Sequence, residues 1–227
     1  MLALIDGDIV CFRAAFSAED ESEPFIACAR ASTMVEEIIA ATGASEYRVF
    51  LSGQDNFRYR VYPEYKANRL DAKRPKWEQQ VKTFLELDWN AEWSKGCEAD
   101  DLLGMYQTDN TVICTIDKDL DNVPGLHYNF VKKELYNVTT EESTRNFYYQ
   151  LLVGDTADGI KGVPGIGPKK ASRILDSCES EREMFTACRE AYGNDDELEM
   201  NAKVLWIWHK EGDIWEWPNF EGMERST

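Results

Sequence analysis

Along the first 153 residues, short apolar runs alternate with stretches whose apolar positions recur at helical spacing. Residues 2–5 (LALI) form a continuous apolar run closed by Asp6, with Asp8 just beyond, and predict a buried strand that delivers a carboxylate at its C-terminal end. Residues 25–41 (FIACARASTMVEEIIAA) carry the helical period, and Gly43 predicts its stop. Residues 47–51 (YRVFL) predict a second strand ending at Ser52-Gly53, and residues 76–87 a second helix. The run GCEADDLL predicts a helix whose first turn carries Glu98, Asp100 and Asp101. Residues 111–116 (TVICTI) form another buried strand, ending in Asp117-Lys118-Asp119-Leu120-Asp121. Residues 126–130 and 133–138 read as a hairpin, and residues 139–153 as a helix. Strand, helix, strand in that order predicts a parallel sheet with right-handed crossovers, in which sites gather at the C-terminal strand ends.

From Gly154 the pattern changes. The stretch GDTADGIKGVPGIGPKKA opens with Asp155 and Asp158 in a Gly-rich bend and passes through Gly162, Gly165 and Gly167, a turn no strand or helix interior tolerates. Lys169, Lys170 and Arg173 then fall on the first turns of a predicted helix, so backbone N–H groups, a helix N-terminus and basic side chains are offered together to a phosphate. Further helices are expected at 180–192 and 197–209. Trp206, Trp208, Trp215 and Trp217 read as packing residues in an acidic setting, and the tail from Pro218 is expected to fray. The expected fold class is α/β: an α/β domain over residues 1–153 and a helical region over residues 154–227.

A formal net charge of −17 argues at first against a nucleic-acid partner. Its distribution reverses that. Between Arg58 and Lys76 lie seven Lys or Arg against Glu64 and Asp71, interleaved with Phe57, Tyr59, Tyr62 and Tyr65; from Lys161 to Arg173 there are four bases and no acid. Aromatics stack on bases while Lys and Arg neutralise phosphates, so the first of these segments, with Arg58, Tyr65, Lys73 and Arg74, reads as a DNA contact. No apolar run approaches the roughly 20 residues of a membrane span. The N-terminus lacks the basic region of a signal peptide, and the six Cys form no CxxC pair, so a reducing, cytoplasmic compartment is expected (the host cytoplasm for a phage-encoded chain).

The candidate chemistry is carried by acids: Asp6, Glu98, Asp100, Asp101, Asp117, Asp119, Asp155 and Asp158 come from separate segments, each at a strand end or helix start. Gathered unpaired, they would repel one another and destabilise the fold. Hard divalent cations resolve this, and all-oxygen ligation favours Mg²⁺ or Mn²⁺ over zinc. Two such ions can stabilise the attacking and leaving oxygens of a phosphodiester displacement. With only His127 and His209 in the chain, and no Walker loop, GxSxG or Rossmann fingerprint, metal-activated water is the remaining nucleophile.

Five stretches in order, IDGD, FRYRVYPEYKANR, CEADD, TIDKDLDN and GDTADGIKGVPGIGPKKA, make residues 1 to 178 resemble the flap endonuclease / 5′ nuclease family, most of all its stand-alone bacteriophage-type 5′→3′ exonucleases. The resemblance implies a PIN-like parallel twisted sheet flanked by helices, with a helix–three-turn–helix module in the C-terminal helical region. It implies one metal ion among Asp6, Glu98, Asp100 and Asp101 and a second among Asp117, Asp119, Asp155 and Asp158. It further implies Lys66 and Arg69 as the residues polarising the scissile phosphate, and residues 162–173 as a grip on duplex backbone with a K⁺ ion held by carbonyls of the turn. Expected substrates are 5′ ends, nicks and flaps of DNA and RNA–DNA hybrids. A polymerase partner would act in trans, and a monomer is the default state. One departure stands out: relatives carry an acid after the second strand, where this chain has Ser52, with Asp55 nearby as a substitute. Two other readings stay open, a structure-specific DNA-binding protein with weakened catalysis and a PIN-type ribonuclease.

Overall fold

The structure is a computed structural model and describes residues 1–220. In chain order its elements are β1 (Leu2–Asp6), α1 (Gly7–Ser17), α2 (Phe25–Thr42), β2 (Glu46–Leu51), α3 (Arg58–Val61), α4 (Glu78–Asp88), β3 (Glu92–Trp93), α5 (Ala99–Tyr106), β4 (Thr111–Cys114), β5 (Gly125–Asn129) and β6 (Glu134–Val138). There follow α6 (Thr140–Val153), β7 (Gly154–Asp155), β8 (Ile160–Lys161), α7 (Pro168–Leu175), α8 (Glu181–Tyr192) and α9 (Asp195–Leu205), and single 3₁₀ turns lie at Ala67–Arg69 and Lys118–Asn122. The chain divides into two compact units. The first comprises residues 1–56, 73–139 and 207–211; the second comprises 57–72, 140–206 and, of the remaining described residues, 212–220. The division differs from the expected boundary after residue 153: α6 belongs with the helices that follow it, and so do residues 57–72 of the basic segment, whereas Lys73, Arg74 and Lys76 fall in the first unit.

In the first unit a six-stranded sheet has the order β3-β2-β1-β4-β5-β6. Every pairing is parallel except β5 with β6, which form the expected hairpin. Ala3, Ile5, Val49, Leu51, Val112 and Cys114 face the layer of α1, α2 and α4, while Leu4, Phe50 and Ile113 pack with Ala99, Leu103 and Ile207 on the other side. Burial on both faces is why these strands read as unbroken apolar runs rather than alternations. Helix α1 was not expected from the sequence, because its buried face is built from small residues, Ala14, Ala15 and Cys11, around Val10. Its start is nonetheless written in IDGD. Asp6 caps it by accepting the Ile9 N–H at 3.0 Å, and Gly7 lets it lie against β2, since a Cβ there would stand 2.6 Å from the Phe50 carbonyl oxygen.

In the second unit α6 to α9 close around Phe147, Tyr148, Leu151, Leu175, Phe185 and Leu198. Ser180 and Asn194 cap α8 and α9 with side-chain oxygens. Helix α9 stops at Leu205, short of the expected residue 209; Trp206 turns extended, and Ile207 joins the core of the first unit. Trp215 and Trp217 pack in the second core, and the Phe220 ring lies 6.0 Å from that of Phe185, so residues 218–220 are not a loose end. The rest of the expected frayed tail lies outside the described residues. Among the described residues no helix is long and apolar enough to cross a membrane, and all six cysteines are free.

Candidate active site

The C-terminal ends of β1 and β4 are adjacent in the first unit, and they bring Asp6 and Asp117 together through one threonine. Thr115 Oγ1 donates to Asp6 Oδ2 at 2.7 Å and accepts the Asp117 N–H at 3.0 Å. Asp6 is 2% exposed. Its burial, followed by the nearby charge of Asp8, outweighs the hydrogen bonds from Ile9 and Thr115, Asp117 adds to the upward push, and the carboxyl is pushed up to about 7. Asp8 is not among the acids singled out from the sequence. It sits in the first turn of α1, where its Oδ1 pairs with Lys82 Nζ at 2.7 Å and its Oδ2 accepts the Ser52 N–H at 2.8 Å.

The remaining acids of this unit also stand at helix starts. Asp117 caps the turn Lys118–Asn122 by accepting the Asp119 N–H at 3.0 Å. Glu98, Asp100 and Asp119 are partly exposed. Asp101 differs from them: it is fully buried, Oδ2 accepts the Glu98 N–H at 2.8 Å and Oδ1 accepts the Trp208 N–H at 3.2 Å. Expected as a metal ligand, it also fixes the start of α5, each oxygen accepting one backbone N–H. Ser52, at the position where an acid was expected, accepts the Ala99 N–H on its hydroxyl at 2.9 Å, and the proposed substitute Asp55 is exposed. Among the described residues no three His, Cys, Asp or Glu side chains converge as a ready metal cage. The donors at the strand ends are nonetheless all oxygen, carry excess negative charge, and include one carboxyl strained toward protonation, a set that suits a hard divalent cation.

In the second unit two separate sequence motifs form one clasp. The turn after β7 is shaped by Asp155, whose Oδ1 accepts the Ala157 N–H at 2.7 Å. Onto it dock the residues of YKANR: Lys66 N–H donates to the Asp158 carbonyl at 2.8 Å, Asn68 Nδ2 to Thr156 O at 2.8 Å and Arg69 Nε to Ala157 O at 2.7 Å. The Asp158 carboxylate is held by the Tyr65 hydroxyl at 2.7 Å, by the Arg69 guanidinium, and by Lys66 Nζ at 3.7 Å. Lys66 adopts φ 56°, a left-handed conformation uncommon for a residue with a side chain.

Two residues expected on a DNA track are elsewhere. Arg58 is 3% exposed, with Nε donating to Val204 O at 2.8 Å and Nη2 to Trp206 O at 2.7 Å, so it caps the C-terminal carbonyls of α9. Tyr65 is equally buried, its ring in the second core and its hydroxyl on Asp158, so no face is open for base stacking. Lys73 and Arg74 are exposed but paired with Glu19 and Glu78. The Gly-rich turn is as expected. A Cβ at Gly162 would stand 2.3 Å from the Val153 carbonyl carbon, Gly165 has φ 75°, and Gly167 precedes Pro168 at the start of α7. Val163 and Ile166 anchor the turn in the core, while Lys169, Lys170 and Arg173 are exposed on α7.

A family model described as "5'-3' exonuclease, N-terminal resolvase-like domain" matches residues 1–148. The 5′-3′ exonuclease of Mycoplasma pneumoniae is 31% identical over 205 residues, covering 76% of this chain and 70% of that protein. DNA polymerase I of Bacillus caldotenax is 28% identical over 202 residues, and there the match takes in 77% of this chain but 23% of the polymerase. Among solved structures, the phage T5 5′-exonuclease with bound zinc superposes with a TM-score of 0.71 at 20% identity, over 90% of this chain and 88% of that one. That likeness establishes the mostly parallel, helix-flanked α/β fold.

Proposed function

The chain belongs to the 5′-3′ exonuclease family by its N-terminal domain, and from that premise we propose that it hydrolyses phosphodiester bonds at 5′ ends, nicks and flaps of DNA, including RNA–DNA hybrids. The observation that carries the metal-dependent part is Asp6, a buried carboxyl kept beside Asp8 and Asp117 near the ends of β1 and β4 and pushed up to about 7 first by its burial and then by the neighbouring charges. When bound, two Mg²⁺ ions, with Mn²⁺ able to replace them, would supply Lewis acidity and water activation. Asp6, Glu98, Asp100, Asp101, Asp117 and Asp119 are the residues of the first unit that would hold them, with Asp101 also fixing the start of α5. Asp155 and Asp158 are the carboxylates proposed from the second unit.

Lys66 and Arg69 are proposed to hold the scissile phosphate, giving up Asp158 for it. Gly162, Gly165 and Gly167 allow the backbone close approach to a duplex phosphate, with Lys169 and Lys170 neutralising charge beside it and a K⁺ ion on the carbonyls of the turn. Lys73 and Arg74 would meet the 5′ strand once freed from Glu19 and Glu78. The protein is proposed to work as a monomer in the cytoplasm, with any polymerase coupling in trans.

The test is a 5′-labelled nicked or flapped duplex incubated with Mg²⁺ or with EDTA, comparing wild type with Asp117→Ala. Release of short 5′ products that needs Mg²⁺ and is lost in the variant is expected. Tight binding without cleavage, in Mn²⁺ as well, would replace this reading with that of a DNA-binding module.

A further inference from the structure

The acid-bearing starts of α1 and α5 are separate in sequence, and within the first unit they are joined through the end of β2. Ser52 is the joint. Its N–H donates to Asp8 in α1 at 2.8 Å, and its hydroxyl accepts the N–H of Ala99, the first residue of α5, at 2.9 Å. The neighbouring residues brace the same junction. Gly53 N–H donates to Ser94 Oγ at 2.9 Å, Ser94 Oγ donates to Cys97 O at 2.6 Å, and Ser94 N–H donates to Leu51 O at 2.8 Å. The loop leading into Glu98 is therefore bonded to the residues that follow β2. Behind Asp8 stands Lys82 of α4, whose side chain is 15% exposed and whose ammonium lies 5.7 Å from the Trp93 ring centroid.

Ordinary capping explains this poorly. Asp6 already caps α1, so the helix has no need of Asp8 for that purpose. A mostly buried ion pair is also weak as a stabilising device, because desolvation offsets most of its attraction. Both are accounted for if the contacts set geometry. We propose that Ser52 and Asp8 are positioning residues of the nuclease reaction: they fix the distance between Asp6 on one side and Glu98 and Asp100 on the other. Lys82 neutralises Asp8 so that it serves as a strut and not as a metal ligand. The proposal rests on the nuclease reading above and says which of this chain's residues tune its site.

The test measures Mn²⁺ affinity by the paramagnetic signal of the free ion, kcat and KM on a flapped duplex, DNA affinity in EDTA, and Tm. Ser52→Ala removes the acceptor for Ala99 while keeping the N–H to Asp8. It is expected to lower kcat and Mn²⁺ affinity about tenfold or more, as loss of an outer-shell support does, with KM, DNA affinity in EDTA and Tm nearly unchanged. Ser52→Thr is expected to restore both. Asp8→Asn keeps an acceptor for Ser52 and is expected to stay within about threefold of wild type in Mn²⁺ affinity, whereas Asp8→Ala loses about tenfold. The proposal is overturned if Ser52→Ala keeps both kcat and Mn²⁺ affinity, if Ser52→Thr fails to rescue, or if Asp8→Asn loses as much as Asp8→Ala, which would make Asp8 a ligand. A wild type that neither binds Mn²⁺ nor cleaves would sink the nuclease reading itself, and the proposal with it.

Discussion

Asp6 in the first unit has more negative than positive company, whereas Asp158 in the second is gripped by two cations and a phenol. Both come from acidic motifs that look alike as text, IDGD and GDTADG. The physical difference lies in which elements surround them. Asp6 emerges from a buried parallel sheet whose next strand end brings a further acid, Asp117, and the nearby cation, Lys82, is turned to Asp8. Asp158 lies in a turn on which a basic segment is docked through backbone contacts. An under-compensated carboxylate attracts an external cation. One matched by Lys66 and Arg69 has its charge already balanced from within the chain.

The contrast breaks most sharply at Asp6. Asp6→Asn is expected to lower cleavage on the order of 10³-fold, since loss of a metal-held charge removes several kcal/mol of transition-state stabilisation and each ~1.4 kcal/mol is tenfold in rate. In EDTA at pH 8 the same variant should be more stable than wild type, because an uncompensated buried charge has been removed. A fall in both activity and metal-free stability would show that Asp6 is adequately paired and that the two units do not differ in the way argued.

The pH dependence of metal-free stability sharpens the same point. Asp6 has its folded pKa raised from 3.8 to about 7, so the folded state holds the proton more tightly than the unfolded chain. The stability this provides is fully present below 3.8 and is lost as pH rises through about 7. Over that window the loss should amount to a few kcal/mol, at about 1.36 kcal/mol per pKa unit. Thermal melts in EDTA should therefore fall in Tm between pH 5.5 and 8 for wild type, and Asp6→Asn should flatten that part of the profile.

On the second unit's side, Arg58 separates basic residues that build the fold from those that meet a ligand. Arg58→Met removes two charge-assisted bonds to the last carbonyls of α9 and should destabilise by roughly 2–3 kcal/mol, with DNA affinity in EDTA unchanged once folded protein is counted. Loss of DNA affinity without loss of stability would restore it to the track expected from the sequence.

These residues also mark what could be read from the chain. The strand ends of β1 and β4 were legible because a strand buried on both faces must be a continuous apolar run, and the acids closing LALI and TVICTI stand at its exit. The Gly-rich turn before α7 was legible because only glycine fits where Gly162 meets the Val153 backbone. Arg58 and Tyr65 were misread because their partners lie 146 and 93 residues away, and a basic or aromatic side chain carries no local sign of being buried. Helix α1 was missed because alanine and cysteine make a weak apolar stripe, and the part Asp101 plays in fixing the start of α5 because an acid in a first helical turn carries no sign of which N–H it accepts. The Asp8–Ser52–Ala99 link joins three segments that nothing in the sequence ties together.

The smallest effects are expected where side chains are most exposed. Lys169 and Lys170 stand in solvent on the first turn of α7, and among the described residues they have no ion-pair partner of the kind that holds Lys66 and Arg69. Lys169→Ala and Lys170→Ala should leave the stability within about 0.5 kcal/mol of wild type, as exposed substitutions do. Each should weaken duplex binding across sequences and reduce the slope of log affinity against log salt by about 1. That slope, measured by anisotropy in EDTA from low to moderate salt, separates a phosphate contact from a solvated surface charge, because only a contact releases counterions on binding. An unchanged slope in both variants would leave Lys169 and Lys170 without a phosphate contact, and the charge that matters for binding would have to come from the other bases, Lys66, Arg69, Lys73, Arg74 and Arg173 among them.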